Sequence, residues 1–321
     1  MKCFVTGGSG FVGSNLISML IKEKAEVLAM ARSEESAQII RELGATPVSV
    51  DMTDTERLAK DLQGCSVIFH LASATDFHKG YDYTYQINVK GTEDLIDAAK
   101  KAKVPKFIFV STAAILLRGK PVYDADESLT FSSLPKGTYC KTKVLAEEVV
   151  LKNNSSEFET IIIRPPLVWG NGSAVKFMIE ACKEKKMAWF NHGQYKIPVS
   201  HVKNLCHGII LASQKGKAGE MYYIIDKEHV VFRKFLIDIL DTQGIEPPKK
   251  NMSKGMAIAL AKTMAMFWKI LRKKGTPPLS VELIHMQGTE YTIVDKKARR
   301  ELGYEDIVSY TEGLEELKAA L

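Results

Sequence analysis

Tyr139 and Lys143 stand four apart in Tyr139-Cys140-Lys141-Thr142-Lys143, at the start of a segment, 137–152, whose pattern predicts a helix. That spacing puts both side chains on one helix face. A phenol has an ordinary pKa of about 10, too high for ready proton exchange at neutral pH, and a neighbouring ammonium stabilises the phenolate and draws the value down. Such a pair can give a proton to, or take one from, an oxygen of a bound molecule. Two hydroxyls, Ser111 and Thr112, close the apolar run Phe107-Ile108-Phe109-Val110, and either can hydrogen-bond an alkoxide or carbonyl oxygen. Each feature has a plainer alternative: the Tyr/Lys spacing arises by chance in many chains, and a hydroxyl at a strand end caps the next turn.

These groups need a scaffold, and the glycines indicate which one. Thr6-Gly7-Gly8-Ser9-Gly10-Phe11-Val12-Gly13 follows the apolar run 2–6 and opens a predicted helix, 11–22. Glycine is wanted at the turn, where backbone approaches a pyrophosphate, and where helix packs on strand; the helix N-terminus offers free N–H groups to the anion. Short apolar runs at 2–6, 26–31, 46–50, 67–70, 106–111 and 160–164 alternate with helical segments at 11–22, 33–43, 53–62, 85–100 and 137–152. That alternation predicts an α/β, Rossmann-type doubly wound parallel sheet, because parallel strands need crossover helices. After Pro165-Pro166 the rhythm breaks. A strand at 221–225 and a helix near 202–212 rejoin the sheet, whereas 169–199 and the chain after Asp226 read as irregular or helical. The predicted organisation is a nucleotide-binding domain, 1–168 with 200–226, and a smaller, discontinuous, mostly helical substrate domain from 169–199 and 227–321.

Composition bounds the partners. At 321 residues, 45% hydrophobic and 26% charged, the chain has room for about two domains and is neither a disulfide mini-protein nor a disordered tail. Its 44 Lys plus Arg exceed 38 Asp plus Glu by only six, which does not suggest a nucleic-acid binder. Cys3, Cys65, Cys140, Cys182 and Cys206 are scattered, so neither a disulfide framework nor a metal site is expected, and a reducing, cytoplasmic setting is the simpler expectation. Residues 1–6 are too short for a secretory signal, and Lys262 and Lys269 interrupt the apolar stretch 256–271, which falls short of the roughly 20 residues of a spanning helix.

The run Thr-Gly-Gly-Ser-Gly-Phe-Val-Gly resembles the TGxxGxxG motif of the extended short-chain dehydrogenases/reductases, and the resemblance extends over nearly the whole chain. It implies that a nicotinamide cofactor runs along Gly7, Ser9, Gly10, Phe11, Val12 and Gly13. It continues past Met52, Leu71-Ala72-Ser73, Asn88, Ser111, Pro166 and Val168, with Tyr139 beside it and Lys143 reaching the nicotinamide ribose. It favours Thr112 as the hydroxyl that orients the substrate, and casts Asp51 as an acidic contact to the adenine amino group. Asp51 could equally cap the helix near Thr53, Asn88 could be a structural amide, and His70 reads as positional. Where an NAD enzyme of this kind carries Asp or Glu, this chain has Ala31, followed by Arg32 and Ser33 as phosphate donors, which favours NADP(H) over NAD(H). Alternatively, Arg32 is merely a solvated residue at a helix start.

The branch is read from what is missing. Sugar-nucleotide dehydratases of this superfamily carry Asp-Glu after the catalytic Thr; here Ala113-Ala114 follows. Nucleotide-sugar epimerases place Asn where this chain has Leu167. The runs Arg164-Pro165-Pro166-Leu167-Val168-Trp169-Gly170 and Val199-Ser200-His201-Val202-Lys203-Asn204-Leu205, with the C-terminal Gly288-Thr289-Glu290-Tyr291 and Lys297-Ala298-Arg299-Arg300, resemble the 3β-hydroxysteroid and sterol dehydrogenase branch. Dihydroflavonol-type reductases are near relatives. Lys203-Asn204 replaces a usual Asp-Asp and puts a structural salt bridge there in doubt. The resemblance implies interconversion of an alcohol and a ketone on a small, hydrophobic, sterol-like substrate; the alternatives are a small aldehyde/ketone reductase and a non-catalytic NADP(H) sensor. Around 256–274, lysines 262, 269 and 273 form a narrow stripe beside a wide apolar face, which suits peripheral membrane contact, a lid over an apolar pocket, or plain core packing. A homodimer is compatible with all of this.

Overall fold

The computed structural model describes residues 1–75, 79–271 and 280–320. Strands β1 (Lys2–Thr6), β2 (Glu26–Met30), β3 (Thr46–Val48), β4 (Val67–His70), β5 (Lys106–Val110), β6 (Glu159–Arg164) and β7 (Met221–Tyr223) form one seven-stranded sheet. Its order is β7-β6-β5-β4-β1-β2-β3, and every pairing is parallel. The strands are apolar on both faces because helices cover both. Cys3, Val5, Val67, Phe69, Ile108, Ile161 and Ile163 pack with helices α1 (Phe11–Lys22) and α2 (Glu34–Glu42) on one side. The alternate residues Phe4, Ile68, Phe107, Phe109 and Ile162 pack on the other with α3 (Thr55–Asp61), α4 (Gly91–Lys101) and α5 (Thr138–Lys152). A one-residue slip in any strand would exchange these sets, so register is fixed by burial. Chain order reverses between β4 and β1, and the crevice at the carboxyl ends of such strands is where a ligand binds in this architecture.

The structure departs from the sequence expectations in three places. The predicted helix 85–100 is three consecutive segments: Gly80–Tyr85, a π-helical turn at Gln86–Lys90, and α4. The region expected to be irregular or helical carries short strands as well. Leu167–Trp169 pairs with Val199–His201, Trp189–Phe190 with Asn251–Met252, Lys196–Ile197 with Val230–Val231, and Val122–Ala125 with Tyr291–Ile293. Strands of two to four residues are too short to show a period. A second apolar cluster joins these pairs to Ala113–Leu116 and to the helices Ser173–Lys183 and Phe232–Asp241. Lastly, Asn204 makes good the missing acid: its buried amide donates to Asp226 and to Val308 O (2.8 Å each) and accepts from the N–H groups of Ile307 and Val308 (2.9 Å each). Lys203 pairs at the surface with Glu316.

Candidate active site

Gly7 ends β1 with φ +71°, and a Cβ at Gly13 would lie 2.1 Å from Gly7 O, so neither tolerates a side chain. Helix α1 starts at Gly10 with no side-chain cap and no acid in its first turn, leaving its leading N–H groups for an anion. A cleft of about 740 Å³ opens here. Of the residues expected along a cofactor, Gly7, Ser9, Gly10, Arg32, Ser33, Met52, Leu71, Ala72 and Ser73 line it. Phe11 instead packs its ring on the Gly170–Gly172 loop, where a Cβ at Gly172 would meet it at 2.3 Å, and Val12 is packed on the core. The fold also brings in Glu35, Ser36, Ile39, Tyr83 and Ile87. Glu35 and Ile39 are four apart on α2, the spacing from which they could have been found, whereas Tyr83 and Ile87 straddle the junction into the π-helical turn.

Two expected contacts are tied up locally. Ser33 caps α2, accepting from Ser36 N at 3.2 Å while the Ser36 hydroxyl accepts from Ser33 N at 3.0 Å. Asp51 accepts from the backbone N–H and the hydroxyl of Thr53 (2.9 and 2.8 Å), which holds its carboxyl below the usual range. The helix that follows is capped by Asp54, which accepts from Arg57 N at 3.1 Å, so the alternative reading of Asp51 as that cap is corrected.

A directed chain of hydrogen bonds holds the strand ends beneath the cleft. Ala72 N–H donates to Thr6 Oγ1 (3.1 Å), Thr6 Oγ1 meets His70 Nδ1 (2.6 Å), His70 Nε2 meets Thr92 Oγ1 (3.0 Å), and Thr92 donates to Asn88 O (2.7 Å). Because Thr92 gives its proton to Asn88, His70 must donate from Nε2 and accept at Nδ1. Burial pushes this histidine down to about 3, with Lys143 adding in the same sense, so it stays neutral and positional. Asn88 sits in the π-helical turn. Its oxygen accepts from Ala74 N (2.7 Å) and Ser73 Oγ (3.1 Å), and its amide donates to Thr142 Oγ1 (3.1 Å), tethering the cleft floor to α5.

Helix α5 carries Tyr139 and Lys143 against the end of β5. Thr112 does two things at once: its oxygen accepts from Ala114 N at 3.1 Å, capping the turn Ala113–Leu116, and its side chain hydrogen-bonds the Tyr139 hydroxyl. Ser111 is buried, and its hydroxyl has no partner among the described residues. Lys143 is also buried; its Nζ donates to Val110 O at 2.7 Å and lies 4.1 Å from the Phe109 ring centroid. Burial lowers this ammonium to about 7, against an opposing pull from Glu147. Burial raises Tyr139, with Cys140 and Glu282 pushing the same way and only Thr112 opposing. The lowered phenol expected from the Tyr/Lys spacing is therefore corrected: desolvation dominates, and the ammonium is turned to the Val110 carbonyl. Glu147 itself forms a buried bidentate pair with Arg164 at the end of β6 (2.9 and 2.6 Å), which clamps α5 to the sheet. Pro166 is buried just past β6, and Val168 lies in the short pair with Ser200; neither is among the residues that line the cleft.

A dinucleotide fits this set. The glycine cradle admits a pyrophosphate, the α1 amides face it, and the orphaned Ser111 hydroxyl awaits a partner near Tyr139. Nicotinamide held there would supply or accept hydride; Thr112 and Tyr139 would orient an oxygen and handle its proton.

Comparison with known proteins places the chain. The fold is that of an extended short-chain dehydrogenase/reductase, an oxidoreductase class built on the Rossmann sheet. Residues 4–254 match the model of the 3-beta hydroxysteroid dehydrogenase/isomerase family, and the chain belongs to that family. It is 37% identical over 322 residues to the 4-hydroxy-2-methyl-3-oxo-4-farnesyl-3,4-dihydroquinoline-1-oxide ketoreductase of Stigmatella aurantiaca, covering 100% of this chain and 96% of that one. It is 31% identical to the decarboxylating sterol-4-alpha-carboxylate 3-dehydrogenase of Dictyostelium discoideum, covering 98% and 99%. Among solved structures, gox2253 superposes with a TM-score of 0.79 at 25% identity, covering 99% and 97%. The Bacillus cereus UDP-glucuronic acid 4-epimerase in complex with UDP-glucuronic acid and NAD shares the fold, with a TM-score of 0.76 at 23% identity, covering 99% and 98%.

Proposed function

We propose that this enzyme is an NADP(H)-preferring dehydrogenase/reductase that interconverts an alcohol and a ketone on a hydrophobic, sterol-like substrate. Tyr139 is the acid/base, Thr112 orients the oxygen, and Lys143 acts from beneath. The hydroxyl pair Thr112–Tyr139 at the end of β5 carries this reading, since it offers a proton and a hydrogen bond to one oxygen. Ala113 and Ala114 follow it in a buried turn, so the acid and base of a dehydratase are not at those positions. The Stigmatella and Dictyostelium relatives, a ketoreductase named for a farnesyl-bearing quinoline oxide and a sterol dehydrogenase, support an apolar ring substrate. NADPH-dependent reduction of a panel of apolar cyclic ketones tests the activity; no turnover with any of them removes it.

The cofactor preference rests on Arg32 in the cleft wall, where it also acts on Asp51. A charge-assisted bond from guanidinium to a 2′-phosphate is worth about 1.5–3 kcal/mol. Fluorescence titration should therefore show NADPH binding roughly tenfold to a hundredfold tighter than NADH, with Arg32→Ala erasing the difference. Equal affinities in the native protein would overturn the NADP(H) preference.

In this reading the substrate side also meets lipid. No helix of the described residues is long and apolar enough to cross a membrane. The helix Lys254–Ile270 packs Ala257 and Ala261 against Ile284, yet leaves Met256, Leu260, Phe267 and Ile270 at least 45% exposed on its other side. Core packing therefore accounts for one face of the helix only. Residues 272–274 of the expected contact lie outside the described residues. Between 247 and 281 the chain has eight Lys plus Arg and no Asp or Glu, so the other 286 residues carry 36 basic against 38 acidic groups. An anionic bilayer surface matches an apolar face set in such a segment. Sedimentation with vesicles containing phosphatidylserine should pellet the protein at low salt, and Phe267→Glu should release it; recovery of the native protein in the supernatant ends this proposal.

A further inference from the structure

Helix α5 begins at Gly137, which has no side chain to cap it, and yet its first turn does not open to solvent. Glu282, on the short helix Val281–Gln287, reaches across to it. The Cys140 N–H donates to Glu282 Oε1 at 3.3 Å, and the N–H groups of Thr138 and Tyr139 and the Cys140 thiol donate to the same carboxylate. A Cβ at residue 137 would fall 2.1 Å from the Glu282 carboxyl carbon, so glycine at 137 is what lets the carboxylate in. An acid at a helix N-terminus satisfies orphan amides and complements the dipole, but here it comes from another helix 145 residues on rather than from the cap position.

We propose that Glu282 is a positioning residue of the active site: from Val281–Gln287 it closes the N-terminus of α5, fixes the Tyr139 end of that helix beside Thr112, and places a negative charge next to the phenol. The proposal rests on the reading of Tyr139 as acid/base. Groups from three elements act on Tyr139, namely Thr112 after β5, Cys140 on α5 itself, and Glu282. Arg118, from the loop after the Ala113–Leu116 turn, acts on Cys140 in the sense opposite to Glu282. His285, one turn beyond Glu282, is pushed down by burial and by the like charge of Lys254. Glu282 thus supplies a negative charge beside the phenol and adds to burial, the larger cause, in keeping it neutral. The helix that carries it packs through Ile284 on Ala257 and Ala261, so the apolar helix Lys254–Ile270 and the catalytic helix are joined by this one short element.

Glu282→Gln keeps an accepting oxygen and removes the charge; Glu282→Ala removes both. With Gln, the alkaline limb of ketone reduction and the acid limb of alcohol oxidation should both move to lower pH by about 0.5–1 unit, with kcat near the native value at each optimum. With Ala, kcat should fall on the order of tenfold or more while cofactor affinity holds, because a small displacement of a reacting group is costly. Superimposable native and Gln pH profiles overturn the proposal, as does an Ala variant with undiminished kcat; if Ala does not fold, the Gln profile alone decides. Tyr139→Phe separates the two readings. If it is silent while Gln leaves the profile unmoved, only the assignment of Glu282 falls; if it retains turnover, the acid/base reading falls first.

Discussion

Tyr139→Phe should lower turnover by a factor of about 10²–10⁴ while leaving NADPH affinity within roughly twofold of native. The ring stays, and with it the packing of the first turn of α5 against the second apolar cluster. What goes is a single hydroxyl, the one that shares a hydrogen bond with Thr112 and can exchange a proton with the substrate oxygen. Cofactor binding should hold because the cleft is walled by the glycine turn, the ends of β2 and β4 and the helix around Tyr83, and Tyr139 is not among its lining residues. Steady-state kinetics with the preferred ketone, beside a fluorescence titration of the cofactor, reads both quantities on one preparation. Turnover retained within a few-fold of native would remove Tyr139 from the chemistry.

Under the proposed acid/base role, the raised phenol keeps its proton as folded. A neutral Tyr139 is the form required at the oxygen of a ketone being reduced. The spacing of Tyr139 and Lys143 was legible in the sequence, and so was the strand end that carries Thr112, because strands buried on both faces appear as unbroken apolar runs. Their pKa values were not. Spacing describes a charge pair in isolation, whereas the fold desolvates both members and turns the ammonium to Val110 O. Glu282 was invisible for another reason: it meets α5 only through tertiary structure, and a lone acid in an acid-free stretch has no periodic or motif signature. Glycine 137 was the available hint, since a helix start without a capping side chain must find its acceptors elsewhere. Asp51 and Asp54 illustrate the limit of local reading, with two acids three apart near one helix start and geometry alone deciding which caps it.

Glu147→Ala is the change expected to cost most in stability. Its partner Arg164 is buried at the end of β6, held by two bonds from Glu147 and a longer one to the Tyr223 hydroxyl at 3.4 Å. Taking away the carboxylate strands a guanidinium that cannot shed its proton, a loss of about 3–5 kcal/mol against a typical total of about 5–15. Thermal denaturation should show Tm lower by on the order of 10 °C. The same variant reaches the chemistry, because Glu147 opposes the burial that lowers Lys143; without it the amine is lowered further. A double variant, Glu147→Leu with Arg164→Met, separates the two consequences. It removes both buried charges and should regain most of the lost stability, since an apolar pair of similar volume often matches a buried ion pair. Activity should not return with it, because Lys143 would still lack its anion. Recovery of both together would mean that Lys143 does not need its charge, and that the ion pair serves the fold alone.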